Sequence, residues 1–307
     1  MHGLPSLPIP LTVMLNDFTF TSPEQNIIYP LYKSKGVSVT FKRDDMIHPF
    51  ISGNKWRKLK YNLLAAQQEK KQRLVTFGGP WSNHLLATAC AGALFDFSTK
   101  AIVRGEDVHN PVLDMCRLFG MELQFVDRQL YRERTALWKE LESDPTNYLM
   151  NEGGMGHAAV RGCEELMDEL GQVYDHIFCA AGTGTTAAGI ATAIATKTLS
   201  TQLHVVPVLK NGEFIAQEMT KLGAPTIQTT LHLNYHFGGY AKTQPQLLAF
   251  VKEFIGATGI MIEPTYTGKA LFALHDQIEQ NRFAAGSKIL FIHTGGLTGL
   301  LGMLDRF

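Results

Sequence analysis

The sequence is poor in charge, and its charges cancel. Only 18% of the 307 residues are charged, and 28 basic side chains are matched by 28 acidic ones. An average globular protein carries about 25% charged residues. A chain without excess positive charge cannot hold a nucleic-acid backbone by releasing its counterions. We therefore expect no nucleic-acid partner.

Long apolar runs and targeting signals are also missing. No stretch of about 18 uncharged apolar residues is present to span a bilayer, so we expect no membrane association. Residues 1–15 lack the basic start of a secretory signal and the arginines of a transit peptide. With 45% apolar residues, the chain is too hydrophobic for intrinsic disorder. These absences predict a cytoplasmic globular protein of one large domain or two modest ones.

Cysteine is scarce, and no metal-ligand pattern is present. The four cysteines form no CxxC pair and have no histidine nearby at ligand spacing. We predict neither a disulfide nor structural zinc, and expect buried free thiols. Residues 231–240 alternate like a strand, so we also reject His232 and His236 as a metal pair.

Glycine, in contrast, is abundant, with 28 residues that cluster where apolar runs end. Short apolar runs alternate with segments of helical period from residue 73 onward. The runs predict strands at 74–79, 100–105, 121–127, 175–182, 202–209, 259–263 and 287–296. The intervening segments predict helices at 82–95, 110–120, 129–142, 185–196 and 212–222. Strands followed by helices at this spacing predict parallel sheets covered on both faces.

These units fall into two groups, 73–127 and 175–296, separated by a polar stretch around Pro145 and Asn147. The chain therefore reads as a two-domain α/β protein with its site in the cleft between the domains.

The segment 48–63 delivers a lysine, Lys55, to a predicted helix start directly after Gly53 and Asn54. Near a helix N-terminus, and close to Arg57 and Lys58, its ammonium form should be disfavoured. Such a lysine is a nucleophile toward carbonyl groups and forms Schiff bases. The alternative is that Lys55 is one of several basic residues on a solvated helix.

A second segment, 178–190, is a predicted strand that runs into interleaved glycines and threonines before a small-residue helix. Backbone N–H groups and hydroxyls at such a helix start suit a phosphate. No GK[ST] sequence follows, and the spacing fits a dinucleotide site poorly. A glycine turn needed only for close packing is the alternative. The residues whose backbone N–H groups or hydroxyls would bind the phosphate are Gly182, Thr183, Gly184, Thr185 and Thr186.

Three further strand-to-helix junctions carry glycine or hydroxyl groups, at 76–87, 262–274 and 291–300. In the first, Ser82 either caps the helix or contacts a substrate carboxylate. We expect several such strand ends, together with one lysine, to bind a small phosphorylated cofactor at the ends of parallel strands.

The motifs SGNKWRKL, GGPWSNH, GTGTTAAG, EPTYTGKAL and HTGG, in this order, resemble the fold type II pyridoxal-phosphate enzymes, which are tryptophan synthase β-like. The similarity is greatest to the 1-aminocyclopropane-1-carboxylate deaminase and D-cysteine desulfhydrase family. It implies a large cofactor-binding domain from residues 1–54 and 170–307, a small domain from 55–169, and a homodimer.

The resemblance also implies residue roles. Lys55 would form the Schiff base with pyridoxal 5'-phosphate, Asn83 would bond its ring hydroxyl, and the 182–186 loop would hold its phosphate. Ser82, Tyr266 and Tyr240 would stand beside the amino-acid substrate. Thr267 would face the pyridine nitrogen, where the deaminase branch of the family has glutamate and the desulfhydrase branch threonine. A neutral hydroxyl makes the ring a weaker electron sink, which favours β-elimination over ring opening.

The sequence departs from the family at Trp81, where glutamine is usual, and at Leu85 and Leu86, where polar residues are common. We expect these changes to affect the substrate side. The expected function is β-elimination from a small amino acid, as in a D-cysteine desulfhydrase, which yields pyruvate, sulfide and ammonia. The alternatives are 1-aminocyclopropane-1-carboxylate deamination to 2-oxobutanoate, a family member without turnover, and a phosphate- or nucleotide-binding protein without lysine chemistry.

Overall fold

The computed structural model describes residues 20–307, so the prediction about residues 1–15 lies outside the described part. The strands in this part are β1 (Glu24–Ile27), β2 (Ser38–Lys42), β3 (Arg73–Gly78), β4 (Ser98–Arg104), β5 (Glu122–Val126), β6 (Asn147–Leu149), β7 (His176–Ala181), β8 (Gln202–Pro207), β9 (Thr229–Leu231) and β10 (Lys288–Ile292). The α-helices are α1 (Pro30–Ser34), α2 (Asn54–Gln68), α3 (Asn83–Leu94), α4 (Pro111–Leu118), α5 (Arg128–Arg132), α6 (Thr135–Glu142), α7 (His157–Glu164), α8 (Thr185–Thr196), α9 (Phe214–Lys221), α10 (Pro245–Thr258) and α11 (Thr267–Glu279).

The strands form two sheets. The larger has the order β1-β2-β10-β7-β8-β9, and the smaller has the order β5-β4-β3-β6. Every neighbouring pair is parallel except β1, which runs antiparallel to β2. The predicted α/β architecture of two mostly parallel sheets flanked by helices is confirmed.

The larger sheet is buried on both faces, which explains its continuous apolar strands. Successive side chains of β10 point to opposite faces. Phe291 packs with Phe254 of α10 and Leu271 of α11 in one core. Leu290 lies in the other, which includes residues of α7, α8 and α9.

The smaller sheet has helices on both sides. Leu74 of β3 packs with Leu59 and Leu63 of α2. Val103 of β4 lies on the same face and packs with Leu113 of α4. On the opposite face, Phe77 of β3 packs with Tyr131 of α5 and Leu137 of α6. All four cysteines are buried free thiols, with Cys90 and Cys116 in the layers around the smaller sheet, Cys163 on α7 and Cys179 in a core of the larger sheet.

Several predicted elements are wrong. Residues 260–263 form no strand, because Ile260 and Ile262 are buried by packing beside the larger sheet rather than by pairing within it. Asn147 lies in strand β6, not in a linker, since β6 pairs with β3. The single helix expected at 129–142 is two helices, α5 and α6. Strands β1 and β2 were not anticipated.

The division into residues 1–54 with 170–307 and 55–169 stays a prediction. Val160 and Leu166, on the small-domain side of that division, pack in a core of the larger sheet. Within residues 20–307, no helix is both long and apolar enough to cross a membrane. The parallel strands β3, β7 and β10 end in the turns that precede the residues described next, as expected for a ligand site in an α/β protein.

Candidate active site

Helix α2 begins in close contact with the turn after β10. Gly53 has φ of +65°, and a β-carbon there would lie 1.9 Å from the Thr294 carbonyl oxygen. Only glycine permits both this backbone conformation and this approach. The Asn54 N–H donates to the same Thr294 oxygen at 3.3 Å. The residue before Lys55 is therefore held against the larger sheet.

Lys55 is partly buried at the start of α2, and its Nζ donates to Asn54 Oδ1 at 2.6 Å. Burial, together with the nearby Lys58 ammonium, lowers the pKa of Lys55 to about 7. The predicted lowering of the Lys55 pKa is confirmed. Arg57 is not its cause, because the Arg57 guanidinium bonds Asp44 and Glu169. The alternative of a solvated helix is wrong, since Arg57 and Lys58 are buried.

Lys58 is a second cation in the same place, which the sequence analysis missed as a site residue. It is 5% exposed, and its Nζ donates to the Gly153 carbonyl at 3.3 Å. No carboxylate within residues 20–307 forms an ion pair with it. Its spacing of three from Lys55 puts both lysines on one helix face, a signal that was available in the sequence. A buried cation without a carboxylate partner suits an anionic ligand.

The glycine–threonine loop lies beside these lysines. It joins β7 to α8, and Gly184 adopts φ of +78° just before the helix begins at Thr185. The Asn54 Nδ2 donates to Thr186 Oγ1 at 3.0 Å, and Thr183 and Thr185 share a hydroxyl contact of 3.2 Å. The loop therefore combines a helix N-terminus and hydroxyls with a nearby buried ammonium, a donor set that fits a phosphate.

The junction between β3 and α3 carries Ser82 and Asn83. Ser82 caps α3, because its Oγ accepts from the Leu85 N–H at 3.4 Å. This is the capping alternative, and it leaves the hydroxyl proton available for a ligand. Asn83 bonds the Thr298 hydroxyl through Oδ1. Its Nδ2 lies within 3.6 Å of the position that a β-carbon on Gly296 would occupy.

His84 is buried directly behind this junction. Its Nε2 is 2.8 Å from Thr76 Oγ1, and its Nδ1 has no hydrogen-bond partner in the described residues. Burial, with the Lys55 and Lys58 charges, lowers the pKa of His84 to about 3. The imidazole is therefore neutral at physiological pH.

Tyr266 closes the site from the α11 side. A β-carbon on Gly182 would lie 3.1 Å from its ring, and the rings of Tyr266 and Tyr240 meet edge to face at 5.9 Å. Burial raises the pKa of Tyr266 well above its usual value, so its hydroxyl stays protonated. Thr267 is fully buried beside it and bonds Glu263, a buried carboxylate that the sequence analysis also missed.

Some side chains lie elsewhere than expected. Leu85 and Leu86 are buried in the core with β4 and α4, so the prediction that they affect the substrate side is wrong. Trp81 packs on Gly302, where a β-carbon would meet its indole at 2.8 Å, and its effect on the substrate side stays a prediction.

The histidines named in the sequence have structural partners. The strand expected at 231–240 is wrong beyond Leu231, the last residue of β9, because a 3₁₀ turn occupies Leu233–Tyr235. His232 Nε2 bonds His204 Nδ1 at 2.9 Å, and His236 Nδ1 accepts from the Gly238 N–H at 2.9 Å. The two imidazoles therefore have separate partners.

Residues 27–295 match the family described as pyridoxal-phosphate dependent enzymes. The chain belongs to this family.

Named relatives and a solved structure agree with this assignment. A bifunctional D-cysteine desulfhydrase/1-aminocyclopropane-1-carboxylate deaminase, mitochondrial, of Arabidopsis thaliana is 30% identical over 304 residues, 88% of this chain and 75% of that protein. A D-cysteine desulfhydrase of Yersinia enterocolitica is 29% identical over 291 residues, 86% of this chain and 88% of its own. A crystal structure of an ACC deaminase homologue superimposes with a TM-score of 0.81 at 26% identity and covers 94% of this chain and 93% of its own.

The residues present fit pyridoxal phosphate. The Lys55 amine supplies a nucleophile whose pKa is about 7, and the start of α8 with buried Lys58 supplies donors for a phosphate. The unpartnered Nδ1 of buried His84 lies in the same region, since a β-carbon on Gly154 would contact it at 3.4 Å and Lys58 Cβ at 3.4 Å.

Proposed function

We propose that this enzyme releases ammonia from a small amino acid by removing its α-proton and β-substituent, as a D-cysteine desulfhydrase does. With D-cysteine, one water is consumed, and pyruvate, hydrogen sulfide and ammonia are formed. The observation that carries the proposal is Lys55, a partly buried amine with a pKa of about 7, beside a loop that fits a phosphate. When bound, pyridoxal phosphate withdraws electrons from the substrate α-carbon.

The residues around Lys55 would divide the remaining work. The 182–186 loop and Lys58 would bind the phosphate, and Asn83 the ring hydroxyl. Ser82 would donate its hydroxyl proton to the substrate carboxylate, since its oxygen already accepts from Leu85.

Proton transfer would rest on Lys55 and the tyrosines. The neutral Lys55 amine accepts the α-proton because its pKa is close to neutral pH. Tyr266, held protonated by burial, would donate to the departing β-substituent. Tyr240, whose ring contacts Tyr266, would orient it. Alternatively, Ser82 together with Tyr266 handles the α-proton.

A spectroscopic experiment tests the cofactor and Lys55 together. The purified protein mixed with pyridoxal phosphate should gain a visible absorbance band, and borohydride should abolish it and leave the reduced adduct on Lys55, as read by peptide mass mapping. Lys55→Ala should lose both signals. Lys60→Ala is the matched control, because Lys60 lies on the same helix but pairs with Glu165. A borohydride-sensitive band that persists in Lys55→Ala would refute the assignment.

The second candidate is deamination of 1-aminocyclopropane-1-carboxylate, which the bifunctional Arabidopsis relative favours. Assays of 2-oxobutanoate against pyruvate plus sulfide separate the two activities. Thr267 supports β-elimination as the main activity. A neutral hydroxyl facing the pyridine nitrogen would make the ring a weaker electron sink, which is sufficient when the β-substituent is a good leaving group.

Two further properties belong to the proposal. We expect a homodimer, which light scattering after gel filtration measures directly. We expect a cytoplasmic enzyme, which fractionation of cells that express the protein would test.

A further inference from the structure

The turn that carries Tyr240 lies in the loop between β9 and α10, and its backbone is strained. The Lys242 N–H closes the turn by donating to the Gly239 carbonyl oxygen at 3.1 Å. The φ angle is +50° at Phe237, +114° at Gly239 and +53° at Ala241. Phenylalanine and alanine rarely adopt positive φ, and such conformations persist only where the surroundings fix them. The turn therefore needs contacts from outside the loop.

The side chain of Tyr240 is only partly held by its own packing. It is 47% exposed, and its ring meets the Tyr266 ring edge to face at 5.9 Å. Tyr266 in turn packs on Gly182 of the glycine–threonine loop, where a β-carbon would lie 3.1 Å from its ring. Because nearly half of Tyr240 faces solvent, its place beside Tyr266 depends on where the backbone of the turn is held.

Lys269 of α11 contacts this turn from below. It is 0% exposed, and its Nζ donates to the Gly239 carbonyl at 2.7 Å and to the Val208 carbonyl at 3.4 Å. Val208 directly follows strand β8. The Lys269 ammonium therefore joins the residue before Tyr240 to the end of a strand in the larger sheet.

Other contacts hold the two ends of the loop. The Phe237 ring meets Phe272 of α11 edge to face at 5.0 Å. The Arg306 Nη1 donates to the Ala241 carbonyl at 2.9 Å, on the exposed side of the loop. A hydrogen bond is stronger in the low dielectric of the interior than at the surface. The buried bond from Lys269 is thus the stronger of the two cation contacts beside Tyr240.

Packing alone does not explain a lysine at position 269. Within residues 20–307, no carboxylate forms an ion pair with it. Burial lowers the pKa of Lys269 to about 8, and the Glu263 charge opposes that shift, so the ammonium form prevails at pH 7. A fully buried lysine without a charged partner is rare, because removing its charge from water is costly. Methionine would fill similar space without this cost.

We propose that Lys269 is a positioning residue whose ammonium holds the Gly239 carbonyl, and with it the strained turn, so that Tyr240 stays against Tyr266 in the site. The inference rests on the proposed function for the part that Tyr240 plays in the reaction, whereas the contact that holds the turn does not depend on it. Without Lys269 the turn relaxes, and the half-exposed Tyr240 ring moves away from Tyr266.

Hydrogen–deuterium exchange read by mass spectrometry tests the contact in protein incubated with pyridoxal phosphate. In Lys269→Met, peptides that cover residues 236–243 should exchange about tenfold faster or more, the factor expected when a hydrogen bond to a charged group is lost. Peptides from β7 and β8 should keep their wild-type rates. Lys35→Met is the matched control, because the Lys35 Nζ also donates to a backbone carbonyl, that of Glu279 at the other end of α11, at 2.9 Å. It should leave residues 236–243 unchanged.

A double-mutant cycle tests whether Lys269 acts through Tyr240. Lys269→Met should lower kcat/KM for D-cysteine in the wild-type background and cause little further loss in a Tyr240→Ala background, because residues that act together are not additive. An equal loss in both backgrounds would overturn the inference. If the wild type forms no pyruvate, the proposed function fails, and the exchange experiment decides the role of Lys269 in holding the turn.

Unchanged exchange of residues 236–243 in folded Lys269→Met would also overturn the inference. So would a uniform increase throughout the larger sheet, which would make Lys269 an ordinary core residue. Circular dichroism shows whether Lys269→Met folds. If it does not, Lys269→Gln replaces it, since its neutral side chain ends one atom short of the lysine nitrogen. Wild-type protection of residues 236–243 in that variant would refute the role of the ammonium.

Discussion

Gly162 of α7 lies where that helix crosses α2, and we expect its replacement by alanine to displace the helix that carries Lys55. A β-carbon on Gly162 would lie 1.8 Å from the Arg57 carbonyl oxygen and 2.8 Å from its carbonyl carbon. A close carbon–oxygen contact is about 3.3 Å, so the two backbones would have to separate by roughly 1.5 Å.

Gly162→Ala should lower both the free energy of unfolding and the catalytic rate. Overpacking a close-packed interior costs about 1–3 kcal/mol, and a clash with backbone places Gly162→Ala near the upper end, at about 3 kcal/mol. Arg57 follows Lys55 by two residues in α2, so the shift also moves the Lys55 amine away from the 182–186 loop. A misplacement of about 1 Å lowers an enzymatic rate by about 100-fold.

Gly256→Ala is the matched control. Gly256 also lies inside a helix, α10, but a β-carbon there meets nothing within 4 Å. Alanine should therefore stabilise the protein by about 0.5–1 kcal/mol, because it has less backbone freedom to lose on folding. Urea unfolding followed by circular dichroism measures both variants, and steady-state kinetics measures the rate. A Gly162→Ala protein as stable and active as the wild type would refute the argument.

Three further predictions concern pH, a buried ion pair and a helix cap. Acylation of Lys55 in the cofactor-free protein should reach half its maximal rate near pH 7, because burial lowers the pKa of Lys55 to about 7 and the neutral amine prevails above it; an ordinary lysine has a pKa of about 10.4. Pulse labelling with peptide mass mapping measures this, and a rate still rising at pH 9 would contradict it. Asp44→Asn should cost about 3 kcal/mol in urea unfolding because it leaves buried Arg57 short of a partner. The exposed pair removed by Asp114→Asn should cost less than about 1 kcal/mol, and equal losses would argue against a special role for burial. Asn110→Ala removes the side-chain oxygen that accepts from two N–H groups at the start of α4, and should cost about 1 kcal/mol; an unchanged melting temperature would show that the cap is dispensable.

Local patterns predicted much of the fold because glycine and capping residues interrupt the apolar runs. Helix α8 occupies Thr185–Thr196, as the sequence indicated, because the left-handed turn at Gly184 starts it. The same patterns failed where burial does not come from strand pairing. Ile260 and Ile262 alternate like a strand but are buried beside the larger sheet without pairing into it.

The candidate site was predictable where a residue type carries its own chemistry. Lys55 and the glycine–threonine loop stand out from the sequence because each lies at a helix start after a glycine. Lys58 and Glu263 did not, since a lysine or a glutamate in a helix or loop is normally exposed. Leu86 was misjudged for the opposite reason, because its core neighbours come from β4 and α4.

The sequence by itself determined the α/β class, the strand ends that carry polar groups, and the lysine suited to a carbonyl cofactor. These follow from local periodicity and from the chemistry of single residues. Only the tertiary structure decided that burial and the Lys58 charge, rather than Arg57, lower the pKa of Lys55. It also decided that the Thr267 hydroxyl is bonded to Glu263. Packing settles such matters because the strength of a charge depends on what surrounds it, and its surroundings come from distant parts of the chain.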